Sequence, residues 1–115
     1  MLPESIKNEI IDNLLPLDIE KVILFGSYAY GIPGMDSDID LYIVTKDNFV
    51  PANFEENLKV KRKVYLALSN LRKSYPSDII VHTLPVHKKF IGLDSSFSRE
   101  IMGKGIILME TKCVK

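Results

Sequence analysis

Apolar residues near the N-terminus recur at the spacing of an amphipathic helix, at Ile6, Ile10 and Leu14, with Ile11 and Leu15 beside them. Pro3 and Glu4 suit a first helical turn, and Pro16 disfavours helical geometry at the residue before it. The pattern therefore predicts a helix that ends at Leu15 and packs on a sheet, without chemistry of its own.

Two apolar runs follow, and each predicts a strand. Val22–Phe25 is apolar without alternation, which is typical of a strand buried on both faces. Gly26 and Ser27 come directly after it, where the strand should give way to a turn or short helix. In the second run Asp38 and Asp40 stand on one face, and the other face carries apolar residues, at Ile39, Leu41 and Ile43.

A long helix is predicted next, with Asn53 as its cap and Glu56 as the capping partner. Its apolar stripe, broken at Lys61, comprises Phe54, Leu58, Val64/Tyr65, Leu68 and Leu71. Basic residues lie mostly off the stripe, at Lys59, Arg62, Lys63 and Lys73. A solvated helix face is their expected role, and contact with phosphates or an acidic partner surface is the alternative.

The segment Asp78–Leu84 predicts a third strand, on which Asp78, Ile80 and His82 share one face. His82 lies roughly 13 Å along the strand from Asp78, too far to share a metal ion with it, so a structural role is expected. His87, followed by Lys88 and Lys89, is expected at the surface.

The last third predicts smaller elements. Pro85–Leu93 is a short helix or an irregular segment, and Asp94–Ser96 offers caps for a helix over Phe97–Met102, closed by glycines. Ile106–Met109 predicts a short apolar strand at a sheet edge, where an exposed apolar row would attract a partner.

Composition narrows the class of protein. A chain of 115 residues with 46% apolar and 26% charged residues is expected to form one domain, residues 1–115. Fifteen basic and fifteen acidic residues cancel, so a general nucleic-acid binder is not expected. The single cysteine, Cys113, precludes an internal disulfide framework, and no run of membrane-spanning length or secretory leader is seen. We therefore expect a cytoplasmic protein without membrane association.

Candidate chemistry concentrates between the first two strands. Asp38 and Asp40, two residues apart on a rigid strand, suit a hard cation such as Mg²⁺, which takes oxygen ligands. Backbone N–H groups at Gly26 and Ser27, with the Ser27 hydroxyl, would seat a phosphate. Asp36 continues the alternation, but it is expected in the turn and outside the ligand set. Taken alone, the carboxylate pair would be interpreted as a solvated face of an edge strand or as helix-capping carboxylates, and only its spacing from Gly26 and Ser27 favours the metal site.

At these residues the chain resembles the nucleotidyltransferases of the DNA polymerase β superfamily, and its shortness is most similar to their minimal branch. Their signature of Gly-Ser, about ten residues and Asp-x-Asp is met by Gly26-Ser27 and Asp38-Ile39-Asp40. The resemblance implies an α/β (α+β) fold in which helices flank a mixed sheet, similar to the polymerase β palm. One departure is Tyr30, where the family often carries an Arg.

The resemblance also implies a reaction: transfer of AMP from ATP to a hydroxyl, with release of pyrophosphate. Asp38, Asp40 and Asp78 would be the catalytic carboxylates and hold Mg²⁺, two ions being expected, while Gly26 and Ser27 would cradle the phosphates. The minimal branch often silences a HEPN-type ribonuclease by adding AMP to its tyrosine, which implies an antitoxin role. A non-catalytic antitoxin or binding module, and a nucleotide sensor, are the alternatives.

Overall fold

The computed structural model describes residues 2–34 and 37–111. Its four strands are β1 (Ile19–Phe25), β2 (Ile39–Thr45), β3 (Ser77–His82) and β4 (Ile106–Glu110). Its six helices are α1 (Glu4–Leu14), α2 (Ser27–Tyr30), α3 (Phe54–Ala67), α4 (Ser69–Ser74), α5 (Leu84–Gly92) and α6 (Ser96–Lys104). In the described part of the chain no helix combines the length and apolar character needed to cross a membrane.

The strands form one mixed sheet in the order β3-β2-β1-β4. β1 is antiparallel to both β2 and β4, whereas β2 and β3 are parallel and are joined by the crossover through α3 and α4. Helices cover both faces, so the α/β fold with a mixed sheet is confirmed. β4 lies at a sheet edge as predicted, and Ile106 and Ile107 are exposed there.

Each face of the sheet has its own apolar core. The first core joins α1, α3 and α4 to one face of the strands and contains residues such as Ile10, Leu24, Ile43 and Val64. The second joins α5 and α6 to the other face and comprises Ile23, Phe25, Tyr42, Val44 and Ile101. Because β1 and β2 contribute to both cores, these strands are buried on both faces, as the unbroken apolar run in β1 predicts.

The long predicted helix differs from the structure in two respects. It divides at Leu68 into α3 and α4, and its buried stripe runs through Val60, Val64, Leu68 and Leu71. Phe54 and Leu58, expected in the core, are 74% and 46% exposed. The helix carries two apolar stripes, and the sheet covers only the one through Val60. The predicted cap is confirmed, since Asn53 Oδ1 accepts a hydrogen bond from the Glu56 backbone N–H at 3.0 Å.

The surface position predicted for His87 is wrong, because α5 turns this residue into the second core, where it is 8% exposed. The Tyr42 hydroxyl lies 2.7 Å from His87 Nδ1 and 3.0 Å from His82 Nδ1. A single hydroxyl can donate to one ring nitrogen and accept from the other. Phe90 stacks on the Tyr42 ring at a centroid distance of 5.1 Å. The two histidines therefore satisfy a buried tyrosine, which is a structural role.

Candidate active site

Gly26 connects the end of β1 to the carboxylates of the neighbouring strand. Its φ of +76° lies in a region that side-chain-bearing residues rarely adopt. A Cβ atom on Gly26 would also overlap Oδ2 of Asp40. Both the backbone conformation and the close approach therefore require glycine here, and the chain leaves β1 directly against a carboxylate.

The short helix α2 begins at Ser27, where the first helical turn closes on the carbonyl of Gly26. None of its four residues is basic. Tyr30, at its end, donates a hydrogen bond from its hydroxyl to Glu100 of α6. The ammonium of Lys104, one turn further along α6, lies 5.9 Å from the centroid of the Tyr30 ring. The ammonium of Lys104 thus places a positive charge beside α2, which has no basic residue of its own.

The three predicted carboxylates come from two adjacent parallel strands. Asp38 is exposed and directly precedes β2, and Asp40 is the second residue of that strand. Asp40 pairs in register with Asp78 on β3 and with Phe25 on β1. Since residues in register on neighbouring strands project their side chains to the same face, Asp40 and Asp78 share the face of the second core. The sheet therefore brings together residues 38 positions apart in the chain.

The electrostatics of Asp40 reflect this grouping. Its pKa is raised to about 6, first by burial and then by the negative charges of Asp78 and Asp38. Among residues 2–34 and 37–111, none of the salt bridges includes any of these three carboxylates. The three carboxylates therefore form a concentration of negative charge that no salt bridge of the described residues balances.

This donor set suits Mg²⁺ in its chemistry. The three groups offer only carboxylate oxygens, and their mutual repulsion is what a divalent cation would relieve. In the part of the chain that the structure describes, no three acidic, histidine or cysteine side chains are close enough together to hold a metal ion. The role of Asp38, Asp40 and Asp78 as metal ligands stays a prediction. Asp36 lies outside the described residues.

Two residues near the site were missed by the sequence analysis as candidates, Glu100 and Lys104. Burial raises the pKa of Tyr30, its hydrogen bond to Glu100 raises it further, and the charges of Glu100 and Asp40 add to the shift. Nothing in the local sequence of α6 links it to α2, because the contact joins residues 70 positions apart. The one available signal was the Arg99-Glu100-Ile101 segment, which falls in the order of the family that the chain resembles.

The sequence model of the family described as "Polymerase beta, Nucleotidyltransferase" matches residues 4–113, and the chain belongs to this family. It is 33% identical over 96 residues to the protein named "Putative protein adenylyltransferase MJ0141" of Methanocaldococcus jannaschii. That alignment covers 84% of this chain and 85% of the relative.

Solved structures share the fold. A structure described as a toxin–antitoxin with AMP-PNP matches with a TM-score of 0.61 at 20% identity, over 92% of this chain and 74% of the other. A variant of the toxin–antitoxin MntA-HpeT matches with a TM-score of 0.58, also at 20% identity and over 92% of this chain and 74% of the other. At this identity the likeness establishes the fold.

Proposed function

We propose that this chain is a Mg²⁺-dependent adenylyltransferase that transfers AMP from ATP to a hydroxyl of a partner protein. The observation that carries the proposal is the contact of Gly26 with Asp40, which is itself in register with Asp78. A turn suited to phosphate and a group of carboxylates suited to a cation thereby form one surface. Family membership and the relative named as an adenylyltransferase support the same reaction.

The reaction replaces one bond to the α-phosphorus of ATP with another. The acceptor hydroxyl oxygen attacks the α-phosphorus of ATP, the bond from that phosphorus to the bridging oxygen breaks, and pyrophosphate leaves. Gly26 lets the backbone approach the phosphates, and the Ser27 hydroxyl donates to them. Asp78, on the strand farthest from this turn, accepts the proton of the hydroxyl or helps to bind metal. Asp38 and Asp40 would hold Mg²⁺, whose charge would neutralise that of the triphosphate.

The acceptor is proposed to be a protein, with a tyrosine of a HEPN-type toxin as the expected target and an antitoxin role for this chain. The relative named "Putative protein adenylyltransferase MJ0141" supports a protein acceptor. A folded partner brings much of its own binding surface to such a site. The single cysteine and balanced charge agree with an enzyme of the cytoplasm.

Transfer can be tested with the protein encoded beside this chain in its genome. The pair is incubated with ATP and Mg²⁺, and the intact mass of the partner is measured. A gain of one or more AMP units, lost with Asp38→Asn or with EDTA, is the expected result. Label that appears only on a small-molecule hydroxyl would contradict the protein acceptor. Binding of ATP without any pyrophosphate release would instead favour a nucleotide sensor.

A further inference from the structure

A polar pocket of about 440 Å³ opens beside Asp38, on the side of the sheet away from Gly26. Its lining comes from α4 and from the start of β3, and comprises Asp38, Ser69, Arg72, Lys73, Pro76 and Ser77. The backbone N–H of Ile39 donates to the carbonyl of Pro76 at 2.9 Å, which ties the beginning of β2 to this wall. The pocket is therefore continuous with the carboxylate site through Asp38.

Arg72 is held in place by contacts that lead back to the site. Its Cζ lies 5.1 Å from the centroid of the Tyr65 ring, a cation–π contact. The Tyr65 hydroxyl in turn donates to the carbonyl of Ile79 at 3.3 Å, one residue beyond Asp78. Within residues 2–34 and 37–111, neither Arg72 nor Lys73 forms a salt bridge. The guanidinium is thus positioned without an acidic partner from the described chain.

The lining has the composition of an anion site. Arg72 and Lys73 outweigh the charge of Asp38, and the hydroxyl of Ser69 adds a neutral donor, whereas the Ser77 hydroxyl donates to the Tyr75 carbonyl at 3.0 Å. Both cations also lie in the last turn of α4, where a basic residue stabilises the helix dipole. Stabilisation of the helix dipole, however, would explain neither the pocket nor the contact of Arg72 with Tyr65. An arginine fork, an ammonium and a hydroxyl bind a carboxylate or a phosphate well, and a carboxylate is the anion that a partner polypeptide offers in its own side chains.

The position of the pocket separates it from the triphosphate. Gly26 and Ser27 follow β1, whereas the pocket adjoins β3, two strands away, and neighbouring strands are roughly 5 Å apart. An anion bound here would therefore lie at the end of the sheet where β2 and β3 begin, next to Asp38 and one residue from Asp78, although α4 packs on the opposite face of the sheet from Asp78. The proposed acceptor hydroxyl arrives at this end. Two cations in a chain of zero net charge are also too few for nucleic acid, which engages a longer basic surface.

We propose that this pocket is an acceptor-docking site, which binds a glutamate or aspartate side chain next to the acceptor tyrosine of the partner polypeptide. The inference rests on the proposed function for its acceptor, and it assigns Arg72 and Lys73 as specificity-determining residues. Their charge acts on acceptor binding and leaves ATP binding unchanged.

The test measures binding of two fluorescent peptides by anisotropy. One carries a tyrosine between glutamates, and the other has glutamines in their place. The wild-type chain is expected to bind the glutamate peptide more tightly, and Arg72→Gln/Lys73→Gln is expected to weaken that binding about tenfold. The matched control is Lys88→Gln/Lys89→Gln, which removes an adjacent, exposed basic pair on α5. Equal weakening by both variants would mean general electrostatic attraction and would overturn the proposal.

A charge reversal makes the test independent of any loss of fold. Arg72→Glu/Lys73→Glu should release the glutamate peptide and bind a peptide whose tyrosine stands between lysines. Failure of this exchange in a variant that melts at the wild-type temperature would overturn the site. ATP titration provides a second check, because a rise in the Kd for ATP in the glutamine variant would assign the pocket to the nucleotide and overturn the acceptor role.

Transfer assays separate this inference from the function on which it rests. If the wild-type chain binds the glutamate peptide through Arg72 but modifies neither peptide nor partner protein, the pocket stands and the adenylyltransferase proposal fails. If AMP reaches glutamate and glutamine peptides equally, with no change in KM for Arg72→Gln/Lys73→Gln, the transferase stands and the pocket is overturned.

Discussion

Asp40 on β2 lies directly opposite Asp78 on β3, in the register of two parallel strands. On its other side Asp40 adjoins Gly26, whose missing side chain leaves space for the carboxylate. The charges of Asp78 and Asp38 add to burial in raising the Asp40 pKa to about 6. One residue is therefore the link between the turn after β1 and the carboxylates of the neighbouring strands.

Replacement of Asp40 separates activity from stability. Asp40→Asn should lower AMP transfer by at least about 100-fold, because it removes the charge of a proposed metal ligand beside the reacting phosphate. A carboxyl whose pKa is raised in the folded state loses stability as pH rises from about 4 through about 6. Without metal, Asp40→Asn should therefore be more stable at pH 7, by about 1 kcal/mol once solvent screening is allowed for. Urea denaturation at pH 4 and pH 7 measures the difference, which should vanish at the lower pH.

Gly26 should tolerate no side chain. Gly26→Ala meets both a strained φ and the Asp40 carboxylate, so it should destabilise the fold by about 1–3 kcal/mol and weaken ATP binding strongly. Ser27→Ala removes one hydroxyl, so it should cost only about 1 kcal/mol of binding free energy. Calorimetric titration with ATP orders the two variants, and the reverse order would place the triphosphate elsewhere. Gly92→Ala is the control, because a Cβ there meets no atom within 4 Å.

Lys104 is expected to supply the cation that α2 lacks. Its ammonium lies over the Tyr30 ring, so Lys104→Ala should raise the Kd for ATP about threefold, the size expected for an exposed charge. Adding Tyr30→Arg to Lys104→Ala should restore the affinity by placing a cation on α2 itself. Lys89→Ala, an exposed lysine of α5, is the matched control. Unchanged ATP affinity in Lys104→Ala would remove this residue from the nucleotide site.

The buried His87 should make the fold sensitive to acid. Burial, then the charges of Lys21 and His82, lowers the His87 pKa to about 4. A histidine whose pKa is depressed by folding contributes stability above its unfolded pKa of about 6.5, and loses it as pH falls toward 4. The loss can reach about 3 kcal/mol, since one pKa unit corresponds to about 1.4 kcal/mol. His87→Leu, of similar size, should flatten the pH dependence of the unfolding free energy between pH 6.5 and pH 4.

Tyr42→Phe tests the same cluster from its centre. The hydroxyl lies within hydrogen-bond distance of both His82 and His87, and Tyr42 is completely buried. Removing it leaves the buried ring nitrogen of His87 and the partly buried one of His82 without that partner, so the variant should lose about 1–3 kcal/mol of stability. Thermal denaturation measures the loss. Nucleotide transfer at a temperature well below Tm should be nearly unchanged, because the hydroxyl faces histidines and not the carboxylate site.

The amino-acid sequence by itself determined most of the elements and the chemical identity of the candidate site. Unbroken apolar runs and helical spacing are local patterns, so they predicted β1, β2 and α1 within a few residues. Gly26, Ser27, Asp38, Asp40 and Asp78 were predicted from spacing and from the family that the chain resembles. Their assembly depends on strand order, which the sequence did not predict: β2 and β3 are parallel neighbours, so their starts meet at one end of the sheet.

Only the tertiary structure decided which side chains the neighbouring elements cover or bring together. α3 carries two apolar stripes, and the sheet buries the one through Val60 but leaves Leu58 exposed. On α5, His87 precedes two lysines but is buried, because its ring contacts the buried tyrosine on β2. The contacts of Tyr30 with Glu100 and of Arg72 with Tyr65 depend likewise on how helices dock. Burial and contact between distant segments depend on both of the segments that pack together. The residue pattern along one segment carries no information about the other.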